Sequence, residues 1–273
     1  MKRAVLPLIT LVLFAMVVVD RLSHAVGSPS PTVPLEGPSE TRSSTLKLDS
    51  TGAPASAPAA APRVVHTTRS PGTPTIDRLA RLAARQQLSR MAGLTYLDSL
   101  IGSTDSMVRR WPDRNGTALR VAIIEGGPSE YRPRMAGHMR EALKRWEGAG
   151  TGVRFVTVGD STGADIVVRW IDHFDFDRAG QTDLTWDQAG RVRKAVILLA
   201  LRTNTGIMLP DAALLTVAVH EAGHALGLPH SPDSADVMFP ATHTGTLSDR
   251  DRRTAQVLYQ LPPGSLRDLE DSP

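Results

Sequence analysis

Hydrophobic and polar positions change rhythm several times along the chain, and each change marks an element. Ala4 to Val19 is one apolar run, broken only by Pro7 and Thr10, and residues 26–74 then carry few large apolar side chains. From Thr75, a residue able to cap a helix, Ile76, Leu79, Leu82, Ala83 and Leu88 recur at helical spacing, with Arg78, Arg81 and Arg85 between them. A second apolar stretch, Leu94 to Ile101, comes after Gly93, so residues 75–108 read as a helical N-terminal segment that either docks on the domain C-terminal to it or serves as a pro-segment. Beyond it the pattern predicts strands over 119–124, 153–158, 164–171 and 194–201, and an amphipathic helix over 133–146 with Met135, Met139, Ala142, Leu143 and Trp146 inward. Residues 172–187 read as a polar loop rich in aspartate. Pro210 and Asp211 open the next helix. Ser248, with Asp251 three residues on, caps a last helix that reaches about Gln260 and turns Ala255, Leu258 and Tyr259 inward. This order predicts an α+β domain over 109–262, with helices packed on a mixed sheet, and a flexible tail over 263–273.

Composition sharpens the two ends of this picture. Residues 26–74 are dense in Pro, Ser, Ala and Thr, too poor in apolar surface to offset chain entropy, and read as a disordered linker. Ahead of it, Lys2 and Arg3 precede the apolar run over 4–19, and Ser23-His24-Ala25 offers small residues where a signal peptidase reads. Residues 1–25 are therefore a signal peptide or an N-terminal anchor, and in either case the remainder is expected outside the cytoplasm, secreted or membrane-anchored by residues 4–19. The net charge of +3 is spread without a basic stripe, which argues against nucleic-acid binding. A monomer is expected, touching a membrane only through that possible anchor. The chain has no cysteine, which excludes disulfides, thiolate ligands and a cysteine nucleophile together.

Chemistry concentrates in VAVHEAGHALGLPHS, Val217 to Ser231. His220 and His224 are four apart, on one helix face, close enough for their imidazoles to share an ion. Gly227 permits the left-handed turn that ends the helix and brings His230 back as a third ligand. Three imidazoles with one open position suit a catalytic zinc, and Glu221 lies beside the first of them, able to act on water as a general base. The spacing H-E-x-x-H-x-x-G-x-x-H arises by chance in roughly one such chain in 10⁵, so incidental histidines are a poor account of it.

HEAGHALGLPHS, with Met238 eight residues after His230 in DVMFP, resembles the metzincin zinc endopeptidases; Ser231, the closing LSDRDRRTAQVLYQL and the RWPDR at Arg110 to Arg114 are similar to the matrixin branch. The resemblance implies a zincin/metzincin fold, a twisted sheet of about five strands with an active-site helix, and a peptide or protein as substrate. It implies one catalytic Zn²⁺ held by His220, His224 and His230, Glu221 as general base, and Met238 as an apolar floor in the Met-turn. It also implies a substrate pocket along Phe239, Pro240, Ala241 and Thr242, on to Leu247, and an edge strand within Gly180 to Trp186. Several features depart from the family. Only His173 and Asp175 stand where animal matrixins hold a structural zinc, two ligands where four are needed. Asp172, Asp175, Asp177, Asp183 and Asp187 offer oxygen for Ca²⁺ but read first as a solvated acidic loop. The pro-segment cysteine that silences matrixin zymogens has no counterpart, and Thr242 stands where the family has tyrosine. His138 and His243 belong to no ligand pattern. A catalytically idle zinc-binding domain acting as a surface binding module is the alternative, and the intact Glu221 speaks against it.

Overall fold

A computed structural model describes residues 76–102 and 106–267. The expected signal or anchor over 1–25 and the linker over 26–74 lie outside the described residues. Helix α1 (Ile76–Arg90) leads to a short α2 (Asp98–Gly102) and a two-residue strand β1 (Met107–Val108). The central sheet is built from β2 (Leu119–Ile123), β3 (Phe155–Val158), β4 (Ile166–Ile171), β5 (Gly180–Trp186) and β6 (Val192–Ala200). Their spatial order is β3-β2-β4-β6-β5, parallel throughout except for β5, which runs antiparallel to β6. The expected mixed sheet of five strands is thus borne out.

Two helices cover one face of the sheet. In α3 (Pro133–Glu147) the expected stripe of Met135, Met139, Ala142, Leu143 and Trp146 is buried. Helix α4 (Asp211–Ala225) is apolar on nearly all sides and is buried from Val217 to Ala225, the condition of a helix enclosed by protein. Alternation in β4 sends Ile166, Val168 and Trp170 into this core, while Val167 joins Ala122 and Ala164 in a small cluster elsewhere. Helix α5 (Asp249–Gln260) begins as predicted. The Ser248 hydroxyl accepts from the Asp251 backbone N–H, and the Asp251 carboxylate accepts from that of Ser248.

Three expectations are corrected. Residues 172–187 are a loop only in their first half, because 180–186 form the edge strand β5, where the family resemblance, unlike the hydrophobic pattern, implies one. Its inward positions are Gly180, Thr182 and Leu184, two of them too small or polar to announce a strand by hydrophobicity. In α1 the apolar stripe is not a buried face. Ala84 and Leu88 are enclosed, but Ile76, Leu79 and Leu82 are 86%, 51% and 48% exposed, since only the C-terminal half of the helix meets the core. That half, with buried Tyr96 and Leu97, docks on α5, where the Tyr96 hydroxyl donates to Asp251 at 3.0 Å and Gln87 bonds Gln260 at 2.8 Å. The tail expected from residue 263 is tied down at its start. Strand β7 (Gly264–Ser265) pairs antiparallel with β1, and Leu266 is buried, its N–H donating to the Ser106 carbonyl.

Candidate metal centre

The last two turns of α4 carry His220, Glu221 and His224, and the segment after the helix is shaped to return the chain toward them. Gly227 takes φ +97°, and a Cβ there would lie 2.1 Å from the Arg109 carbonyl oxygen, so both conformation and clearance require glycine. The carbonyls left over at the helix end are satisfied from outside: the Trp111 indole donates to Ala225 O at 2.8 Å and the Tyr259 hydroxyl to Leu226 O at 3.1 Å. With the turn fixed, His230 swings back to the helix. Nε2 of His224 lies 3.1 Å from Nε2 of His220 and 3.2 Å from Nε2 of His230.

These contacts test the fit to a metal. Nδ1 of His220 lies 2.7 Å from the Val237 carbonyl and Nδ1 of His224 lies 2.9 Å from the Leu228 carbonyl. Carbonyl oxygen accepts only, so Nδ1 carries the proton in both rings and each Nε2 presents a lone pair toward its neighbours. Facing lone pairs at this distance repel unless a cation lies between them. Tetrahedral zinc with Zn–N of about 2.0–2.1 Å would set its nitrogens about 3.3–3.4 Å apart, close to the separations present. Burial holds His220 well below the ordinary imidazole pKa, with His224 adding to the effect, and burial followed by His230 pushes His224 down to about 3. The pair is therefore neutral and ready to ligate at neutral pH. The donor set fits zinc.

Met238 is fully buried. It packs against α4 because residue 223 is glycine: a Cβ there would lie 2.3 Å from Met238 Sδ and 2.8 Å from Trp146 Cζ2. Trp146 also donates to the Val219 carbonyl at 2.8 Å, pinning α4 against α3. The loop holding Val237 and Met238 is secured by two buried carboxylates. Asp236 accepts from Arg250 at 2.7 Å, Ser248 at 2.6 Å and Ser231 at 2.5 Å, and Asp251 accepts from the Val237 N–H at 2.9 Å. Glu221 is wholly buried beneath β5. The Thr182 hydroxyl lies 2.7 Å from its Oε2, and a Cβ on Gly180 would lie 2.4 Å from its Oε1.

An apolar cavity of about 370 Å³ opens beside α4, lined by Leu209, Ala213 and Thr216 and by Thr242 and His243 after the Met238 turn. Of the expected pocket segment over 239–247, Thr242 and His243 line it, His243 being a residue that fitted no ligand pattern, while Phe239, Pro240 and Ala241 do not. The predicted ligands His220, His224 and His230 lie together, with Glu221 and Met238 adjacent. Among the described residues they are the one cluster of three possible metal ligands. The aspartates do not converge: Asp187 pairs with Arg191 and Arg193, Asp183 bonds Gln181, and Asp172 pairs with His173 and Arg202. His138 lies by Asp211 instead, at 3.4 Å. Sequence reasoning missed Gly180, Thr182, Gly223 and Asp236. Only Gly223 had a visible signal, a glycine inside an otherwise strong helix.

A mixed sheet over a helix that presents converging imidazoles and an adjacent carboxylate is the plan of a zinc metallopeptidase. The matrixin family model matches residues 110–260, more than half of the chain, and the chain belongs to that family. As a family, matrixins are zinc metallopeptidases and typically extracellular. The chain is also similar to matrilysin from Felis catus, 40% identical over 57 residues that make up 21% of this chain and 18% of that protein. The match thus spans less than a fifth of the relative's own length.

Proposed function

We propose that the chain is an exported zinc endopeptidase acting through a single metal centre. The observation that carries this reading is the convergence of three imidazoles, two of them neutral and anchored through Nδ1, next to a buried carboxylate. His220, His224 and His230 would hold the ion. When bound, zinc supplies a Lewis acid toward the scissile carbonyl and makes water acidic enough to react near neutral pH. Glu221 would take the proton from the attacking water and pass it to the leaving amine. Strand β5 lies at the margin of the sheet and would pair with an extended peptide through its backbone. The 370 Å³ cavity would receive the side chain after the scissile bond, and its apolar lining favours an apolar one. Export is argued from the basic-then-apolar N-terminus; no helix among the described residues is long and apolar enough to cross a membrane.

The test is a zinc count per chain together with a cleavage profile on a diverse peptide library, for the wild type and Glu221→Ala. One zinc per chain in both proteins, with cleavage lost only in the variant, is the expected result. A wild type that binds zinc and cleaves no peptide would sink the reading in favour of a binding module.

A further inference from the structure

We propose that Thr182 is a positioning residue for Glu221, holding the carboxylate in the orientation that proton transfer requires. The proposal rests on the reading of Glu221 as general base. Side chains along β5 alternate, so Gly180, Thr182 and Leu184 face inward while Gln181 and Asp183 face away. The Glu221 carboxylate lies against the first two of these. Gly180 supplies clearance, since a Cβ there would come within 2.4 Å of Oε1 and 2.6 Å of Cγ.

Thr182 supplies the donor. Its hydroxyl lies 2.7 Å from Glu221 Oε2 and 3.1 Å from the Glu221 carbonyl, and it has one proton to give. The shorter contact, to the carboxylate oxygen, is the one the single proton serves. A β-branched side chain on a strand has a restricted χ1, so the donor direction is fixed by the backbone. Glutamate by contrast has three rotatable bonds, and a donor of fixed direction restricts which rotamers its carboxylate takes. Thr182 and His224 line the same small cavity, which puts the threonine beside one of the three histidines. Because Thr182 sits on the strand proposed to pair with substrate, movement of that strand would reach the base directly.

The decisive pair of variants is Thr182→Val, which keeps the shape and removes the donor, and Thr182→Ser, which restores it. Valine suits a strand, so folding is expected to survive. In the zinc-loaded protein, Thr182→Val should lower kcat by about tenfold to a hundredfold, the scale of a misaimed catalytic group, with KM within about twofold and zinc per chain unchanged. Thr182→Ser should recover most of the loss. Independently of turnover, crystal structures of the metal-free variants should show Glu221 displaced or split between rotamers in Thr182→Val and in place in Thr182→Ser. An unchanged kcat, or Glu221 in its original place in Thr182→Val, overturns the proposal. If the wild type cleaves nothing, the endopeptidase reading fails by itself, and the crystal comparison still decides whether Thr182 sets the carboxylate.

Discussion

Gly223 separates what helix propensity predicts from what packing predicts. It lies inside α4, where alanine would ordinarily stabilise by about 1 kcal/mol. A methyl group there would stand 2.3 Å from Met238 Sδ and 2.8 Å from Trp146 Cζ2, whereas atoms in contact sit about 3.5–4.0 Å apart. Something must move by more than about 1 Å. Methionine is adaptable, but Met238 is fully buried, and the Trp146 ring beside it is both enclosed and hydrogen-bonded to α4. Overpacking of this kind costs about 1–3 kcal/mol, so Gly223→Ala should be destabilising by about 1–2 kcal/mol after the propensity gain. In a domain of this size that is a fall in Tm of roughly 2–8 °C. The displacement also reaches the metal, because Val237, next to Met238, holds His220 through its carbonyl; disturbing such a partner weakens metal binding about tenfold or more. The assay is thermal unfolding of metal-free and zinc-loaded protein, plus zinc affinity by competition with a chromophoric chelator. Gly137→Ala in α3 is the control: a Cβ there meets nothing within 4 Å, and this variant should gain up to about 1 kcal/mol. A Gly223→Ala protein as stable as Gly137→Ala, with unchanged zinc affinity, would refute the argument.

Acid should loosen the metal-free protein over a definite window. His220 and His224 have folded pKa values depressed by burial, so below about 6.5 the unfolded chain binds protons that the native one refuses, and stability falls with pH at about 1.4 kcal/mol per unit per histidine. For His224 that loss continues toward about 3. Chemical unfolding at pH 7.5 and 5.5 measures it above the carboxylate range, and equal unfolding free energies would contradict the buried, neutral assignment; bound zinc should be lost over the same range. Asp236→Ala should cost on the order of 2–4 kcal/mol by urea unfolding, less than a fully buried pair because Arg250 keeps some solvent contact, and a loss below about 1 kcal/mol would show that the Ser231 and Ser248 hydroxyls compensate.

Much of this molecule is legible in sequence because its determinants are local. The α3 stripe, the Ser248–Asp251 cap and the Gly227 turn each arise from residues within a few positions of one another, and each occurs where expected. The spacing of His220, Glu221, His224 and His230 is a local code as well, since helix geometry and one glycine suffice to bring the rings together. What stayed hidden depends on partners distant in sequence. Strand β5 reads as loop by its own pattern, and only the family resemblance implies a strand there, because its inward residues Gly180 and Thr182 lie against the carboxylate of Glu221 some forty positions away and not in a hydrophobic core. In α1 a helical stripe was visible, but whether Ile76 or Leu88 would be covered is decided by the reach of α5, which no period reveals. Gly223 is the informative case between the two. Its presence in a helix signals a constraint locally, and only the approach of Met238 and Trp146 says what the constraint is. The departures from local rules therefore cluster around Glu221 and the histidines, where propensity is given up for clearance and aim.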